Sequence, residues 1–154
     1  MTKHWFHAYL TKKFTQGKML GLDVGCGRGN WDEFKQCKFI GIDKIGNPDI
    51  IHDLNNDLPF DDKVFDVAIC YSVLEYVGND AKLLKEIHRV LKPNAIFVCI
   101  TQNKLIPQKQ LRKMLTFVGF SSLYYKNLKE WIWATWYNLT SVYVYTINQK
   151  RTKP

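Results

Sequence analysis

The chain has 154 residues, 46% hydrophobic and 23% charged, a balance that suits one globular domain with a single core and excludes a disordered polymer. Its longest apolar-leaning stretch, residues 128–147, is broken by Lys129, Glu130, Asn138 and several hydroxyl side chains, so no membrane-crossing helix is expected. The net charge of +8 arises beyond residue 100: residues 1–100 hold 13 basic and 13 acidic side chains, whereas 101–154 hold nine basic ones against Glu130 alone.

Such asymmetry suggests a nucleic acid or another polyanion as partner for the C-terminal half, but by itself it is better explained by a lysine-rich solvated face and a frayed tail, KRTKP. The N-terminus MTKHWFHAYLTKKF lacks a continuous apolar run and a small-residue cleavage site, so no secretory leader is expected. Cysteines stand at 26, 37, 70 and 99 with no CxxC spacing. A reduced, cytoplasmic protein without a disulfide framework or metal site is therefore expected.

In chain order, residues 4–14 predict a short helix. MLGLDV (19–24) reads as a buried strand from its continuous apolar character. Gly29 to Cys37 reads as a short helix, KFIGID (38–43) as a second strand and DIIHD (49–53) as a third, with scarcely room for a helix between those two. NNDLPFDD (55–62) is a loop rich in turn formers, and VFDVAICY (64–71) a fourth strand. Asn79 or Asp80 is placed to cap a helix running to Leu91, with Leu83, Leu84, Ile87, Val90 and Leu91 on one face. Lys92-Pro93-Asn94 ends it, since proline lacks the N–H and asparagine tolerates the left-handed conformation. AIFVCI (95–100) is a fifth strand. A helix from Pro107 to Val118, closed by Gly119, and two final strands at 121–128 and 141–147 follow. Strands alternating with helices and then a helix-free pair predict an α/β domain, its mostly parallel sheet ending in an antiparallel hairpin.

The chemistry concentrates in the first turn, Gly25-Cys26-Gly27-Arg28-Gly29-Asn30. Glycine there permits unusual φ values and removes the Cβ that would hold a ligand away from the backbone. In an open α/β sheet this turn lies where ligands bind, beyond the carboxyl ends of the strands. Asp43 ends the second strand and Asp53 the third, so two further carboxylates reach the same rim; the first suits a ribose diol. The glycine spacing fits neither G-x-G-x-x-G nor a P-loop, which favours a nucleotide without a pyrophosphate.

LDVGCGRG (22–29), GID (41–43), HDLNNDLPFDDKVFDVAICYSVLEYV (52–77) and EIHRVLKPNAIFVCI (86–100) together resemble the class I S-adenosylmethionine-dependent methyltransferases, in particular the type 11 group. The resemblance implies a Rossmann-like fold whose seven-stranded sheet runs 3-2-1-4-5-7-6, with a trimmed connection between strands two and three. The resemblance spans about residues 15–148; the whole of 1–154 is expected to be one methyltransferase domain, with 1–14 an N-terminal helical segment and 149–154 a disordered basic tail. For the site it implies that Asp23, Gly25 and Gly27 face the methionine moiety and that Asp43 takes the ribose hydroxyls. Asp53 would bond the adenine amino group and the Leu54 backbone the ring edge. Cys26 and Lys44 join the cofactor contacts, and Tyr71 stands near the methyl donor. His88 matches a packing position.

The pattern is not met everywhere. Lysine-proline is followed by Asn94-Ala95 where the family has two glycines, and Tyr76 stands where a histidine is common. No long insertion follows strand five, which predicts an open site suited to a large or partner-presented acceptor. Methyl transfer from a sulfonium needs alignment and dryness more than a strong base. The catalytic candidates are Tyr71 and Glu75, and no metal is implied. The missing [DNS]-P-P-[YFW] argues against methylation of exocyclic base amines. Trp131, Trp133, Trp136 and Tyr137, among Lys126, Lys129 and Lys150, would stack bases, pack the hairpin or join two copies of the chain. Two other readings are a non-catalytic S-adenosylmethionine-binding module acting with a partner, and a Rossmann dehydrogenase.

Overall fold

The computed structural model describes residues 5–29, 31–102, 105–127 and 139–147. The aromatic segment 131–137 and the basic tail 149–154 lie outside the described residues. In chain order the elements are α1 (Trp5–Thr15), β1 (Leu20–Val24), a 3-10 turn (Asp32–Phe34), β2 (Lys38–Asp43), β3 (Ile50–Ile51) and β4 (Phe65–Tyr71). Then come α2 (Asp80–Val90), β5 (Leu91–Gln102), α3 (Gln108–Val118), β6 (Phe120–Asn127) and β7 (Leu139–Ile147). They build a seven-stranded sheet in the order β3-β2-β1-β4-β5-β7-β6. Neighbours among β1 to β5 run parallel, and β7 runs antiparallel to both β5 and β6. The expected Rossmann-like α/β architecture with its closing hairpin is present.

Alternation along the strands divides the core into two layers. Ala68 and Cys70 of β4 and Phe97 and Cys99 of β5 face α2 and α3, joining Leu83, Leu84, Ile87, Leu111 and Leu115. Their neighbours Ile69, Val98 and Ile100 face the other way and pack against Leu10 of α1. Each fully buried leucine, isoleucine, valine or phenylalanine among them contributes about 1.5–3 kcal/mol. Cys70 and Cys99 are register partners and both free thiols, fully buried as expected for small hydrophobes.

Local signals placed several boundaries. Asn79 caps α2, its side chain accepting from the Lys82 N–H at 2.9 Å. Asn94 takes φ 63°, and Gly119 closes α3 at φ 113° while donating to Leu115 and Thr116 carbonyls. His88 packs edge-on to Phe120, with centroids 5.0 Å apart, as a structural residue. Other boundaries moved. Leu91 belongs to β5, pairing with Phe65, because the helix stops at Val90. Pro107 takes the N-cap position of α3.

The largest difference is between β1 and β2, where the predicted helix is only the single 3-10 turn. Returning along a five-residue strand spans about 16 Å, which needs about 11 helical residues at 1.5 Å each. Residues 31–37 supply seven, and Lys35 is already extended after the 3-10 turn, so more extended backbone makes the return. The β2–β3 connection is also free of helix. It can be short because β3 pairs only with the last two residues of β2, Ile42 with Ile50 and Asp43 with Ile51. The third strand is accordingly shorter than expected.

Candidate functional site

The glycine turn after β1 is fixed by its neighbours. Gly25 has φ 74°, and a Cβ there would collide with the side chain of Val73. Only glycine lets the turn pass beneath the loop that follows β4. The Gly25 N–H donates to the Ile42 carbonyl at 2.8 Å, tying the turn to β2. Asp43 adds a second tie: its Oδ2 accepts from the Gly27 N–H at 2.9 Å and its Oδ1 from the Lys44 N–H at 2.7 Å. Gly46 lies so close to the Gly27 carbonyl that a side chain would collide with it, and the Asn47 N–H donates to that carbonyl at 2.8 Å.

Opposite, Asp53 opens a tight turn. Its Oδ1 accepts from the Asn55 N–H at 3.0 Å and from Asn55 Nδ2 at 2.8 Å, and these two bonds hold its carboxyl below the ordinary range. Asn55 then accepts from the Gly78 N–H at 2.7 Å, pinning this turn to the loop after β4. That loop starts sharply: Ser72 takes φ 55° while its N–H reaches the Ile100 carbonyl at 2.8 Å.

Between these ties lies a cleft of about 260 Å³ lined by Gly25, Asp43, Lys44, Asp53 and Leu54 on the predicted side. Ile45, Asn55, Ser72, Val73, Tyr76 and Val77 complete its lining. Ile45 and Tyr76 are each 69% exposed and form an open apolar rim. Two carboxylates, Asp43 and Asp53, among aliphatic walls fit a nucleoside, with polar edges and a flat apolar body. Gly27 lines an adjoining depression with Arg28 and shares Ile45 with the main cleft.

Other predicted residues stand elsewhere. Cys26 is buried against Gly41, and burial, then Asp23 and Asp43, push its thiol up to about 12. It is a packing group. Tyr71 turns its ring toward α1, where its Oη shares a hydrogen bond with Thr11 Oγ1 at 3.1 Å. Its ring meets His7 and Trp31 edge-on, and those two stack at 4.7 Å. Burial holds its phenol well above the ordinary value. Glu75 and Tyr71 are not among the cleft's lining residues.

Asp23 has a partner that sequence reasoning missed. Lys35 Nζ lies 2.8 Å from Asp23 Oδ2, with the two side chains only 8% and 3% exposed. Burial raises the Asp23 pKa while Lys35 draws it back down. Burial works against the Lys35 ammonium too, yet Asp23 and Asp32 outweigh it and hold its pKa above the usual lysine value. No local signal marks this pair, because Lys35 reaches back across the turn that replaced the predicted helix. Ile45, Asn55, Ser72, Val73 and Val77 were missed as well, though the tight turn spacing of D-L-N at 53–55 could have pointed to Asn55.

The family model for a methyltransferase domain matches residues 22–99. A demethylmenaquinone methyltransferase of Staphylococcus epidermidis is 31% identical over 137 residues, covering 86% of this chain and 54% of that protein. The mitochondrial arginine-hydroxylase NDUFAF5 of Mus musculus is 33% identical over 96 residues, covering 51% of this chain and 27% of that protein. The chain therefore spans between a quarter and a little over half of the length of these relatives. A solved complex between the Haloferax volcanii Trm112 methyltransferase activator and a methyltransferase has the same fold. It superposes with TM-score 0.74 at 17% identity, covering 96% of this chain and 91% of that one. Fold and family model agree: the chain belongs to the class I S-adenosylmethionine-dependent methyltransferases.

Proposed function

We propose that the protein binds S-adenosylmethionine in the cleft between the glycine turn and the loop after β4, and transfers its methyl group to a large or partner-presented acceptor. The observation that carries this reading is the convergence of Gly25, Asp43, Lys44, Asp53 and Leu54 on one cleft. Asp43 accepts from the ribose hydroxyls, Asp53 from the adenine amino group, and the Leu54 backbone meets the ring edge, with Lys44 and Ile45 along the ribose side. Asp23, Cys26 and Gly27 shape the methionine end, where Lys35 fixes the Asp23 carboxylate. When bound, the sulfonium supplies an activated methyl for in-line displacement. The chain then has to hold the acceptor in line and exclude water, for which the apolar rim of Ile45, Val73, Tyr76 and Val77 is suited. Tyr71, held as a neutral phenol against Thr11, serves by position and not as a base; Glu75 remains the candidate for ordering the loop near the acceptor.

The same reading takes residues 1–154 as one methyltransferase domain acting in the cytoplasm. Among the described residues no helix is long and apolar enough to cross a membrane. Among them, too, no cluster of histidine, cysteine, aspartate or glutamate has metal-binding geometry. An arginine hydroxylase among the relatives favours keeping a second reading, in which the cleft serves a chemistry other than methyl transfer or a binding role with a partner. Calorimetry with S-adenosylmethionine, S-adenosylhomocysteine and NAD tests the first reading. Binding of both sulfur compounds is expected. Binding of NAD alone would overturn it, and binding without methyl transfer to any cell fraction would leave the second.

A further inference from the structure

We propose that the outward face of α3 is a docking surface for single-stranded nucleic acid. Leu111 and Leu115 bury the inner face of this helix completely. On the outer face Lys109, Arg112 and Lys113 are exposed, and with Thr116 and Phe117 they line a groove of about 590 Å³. Spacings of three and four residues place these cations on one side of the helix, about one turn apart. The α3 sequence QKQLRKMLTFV contains no carboxylate, and none occurs anywhere from 101 to 127. The surface charge of this stretch is therefore of one sign, a match for a phosphodiester backbone.

The ring at the end of the stripe selects the kind of polyanion. Phe117 is 82% exposed, and Lys85 Nζ of α2 lies 5.9 Å from its centroid. A lone exposed ring is ordinary. A ring in line with Lys109 and Lys113 at four-residue spacing, with Arg112 beside them and Lys85 over it, is a place for a base to stack while its phosphates meet the cations. A membrane surface would call for an apolar stripe along the helix instead of one ring. An acidic peptide would leave Phe117 unused. The surface shares no lining residue with the cleft, and it rests on the methyltransferase reading only in making the bound strand the acceptor.

The test is anisotropy titration of a fluorescein-labelled oligouridylate of about 12 nucleotides at about 50 and about 200 mM salt. Wild type, the triple variant Lys109→Glu/Arg112→Glu/Lys113→Glu and Phe117→Ala are compared, with thermal melts confirming that each is folded. Wild type is expected to bind, with affinity falling steeply with salt. The triple variant should lose most affinity at low salt, and its log–log salt slope should be shallower by about 2, at roughly 0.7 per phosphate contact. Phe117→Ala should bind roughly tenfold more weakly with the slope unchanged. No binding by wild type at low salt, an unchanged triple variant, or binding of phosphatidylserine vesicles in place of the oligonucleotide would each overturn the proposal. Calorimetry of the same proteins with S-adenosylhomocysteine separates the two claims. Oligonucleotide binding without cofactor binding would retain this surface and sink the methyltransferase reading, and the converse would do the opposite.

Discussion

Asp43 has one task in the fold and, in the proposed function, a second. Its carboxylate already holds Gly27, Lys44 and Ile45 through their N–H groups, so the oxygens a ribose would meet are oriented before any ligand arrives. Asp43→Ala is expected to weaken binding of S-adenosylhomocysteine by on the order of 1–3 kcal/mol, through both the lost acceptor and the loosened turn. Asp43→Asn, which retains one carbonyl acceptor, should fall between the two in calorimetry. Equal affinity of all three proteins would remove Asp43 from the site. Lys35 answers to a different measurement. Lys35→Met leaves Asp23 buried without its cation and should lower unfolding stability by about 3–5 kcal/mol in denaturant melts. Adding Asp23→Asn should recover a large part of that loss. If the second change makes matters worse, the two side chains do not act as a pair.

At the scale of elements, the sequence motifs acquire physical causes. The loop DLPFDD is held by α2: the Leu58 N–H donates to Glu86 Oε2 at 2.8 Å, while Arg89 donates to the carbonyls of Phe60 at 2.8 Å and Leu58 at 3.1 Å. That is why the LPF and EIHRV segments occur together, and it is a matter of architecture, not catalysis. Hydrogen bonds from Arg89 hold the Glu86 pKa below its ordinary value of 4.5. Its contribution to stability is therefore complete above that value and is lost as pH falls through the lowered one. Glu86→Gln should be about 1–2 kcal/mol less stable at neutral pH, with the gap to wild type closing in acid melts below pH 4.5, as the pH falls through the lowered value. The elements that were legible have local signatures, such as the Asn79 cap, the Gly119 stop and the apolar face of α2. The missing helix after Gly29 was not legible, because its absence follows from a distance the strands must span. The Asp23–Lys35 pair was hidden for the same reason: it exists only once that short return has been folded.

For the molecule as a whole, the sheet's predicted order and the glycine turn located the cleft, while its far wall came from a loop whose path depends on Ser72 and Asn55. Bound cofactor should tighten both walls together. Hydrogen exchange with S-adenosylhomocysteine at 100 times its dissociation constant should slow opening of the Gly27, Asn55 and Gly78 amides by up to about 2.7 kcal/mol. Protection confined to α3 would place the ligand elsewhere. The other sheet face makes a separate demand. Removal of residues 1–15 would uncover Ile69, Val98 and Ile100, and such a shortened protein is expected to elute as aggregate in size-exclusion chromatography. A monomeric, cooperatively melting product would show that α1 is dispensable.

The position of α1 also has a consequence for biosynthesis. It leaves the ribosome before the sheet does: the strands on which Leu10 rests are completed only when Ile100 has been added. Until then this segment has no surface to settle on, so this part of the nascent polypeptide must stay unfinished until β5 has been made. A helix made before its sheet is settled only by strands that come later.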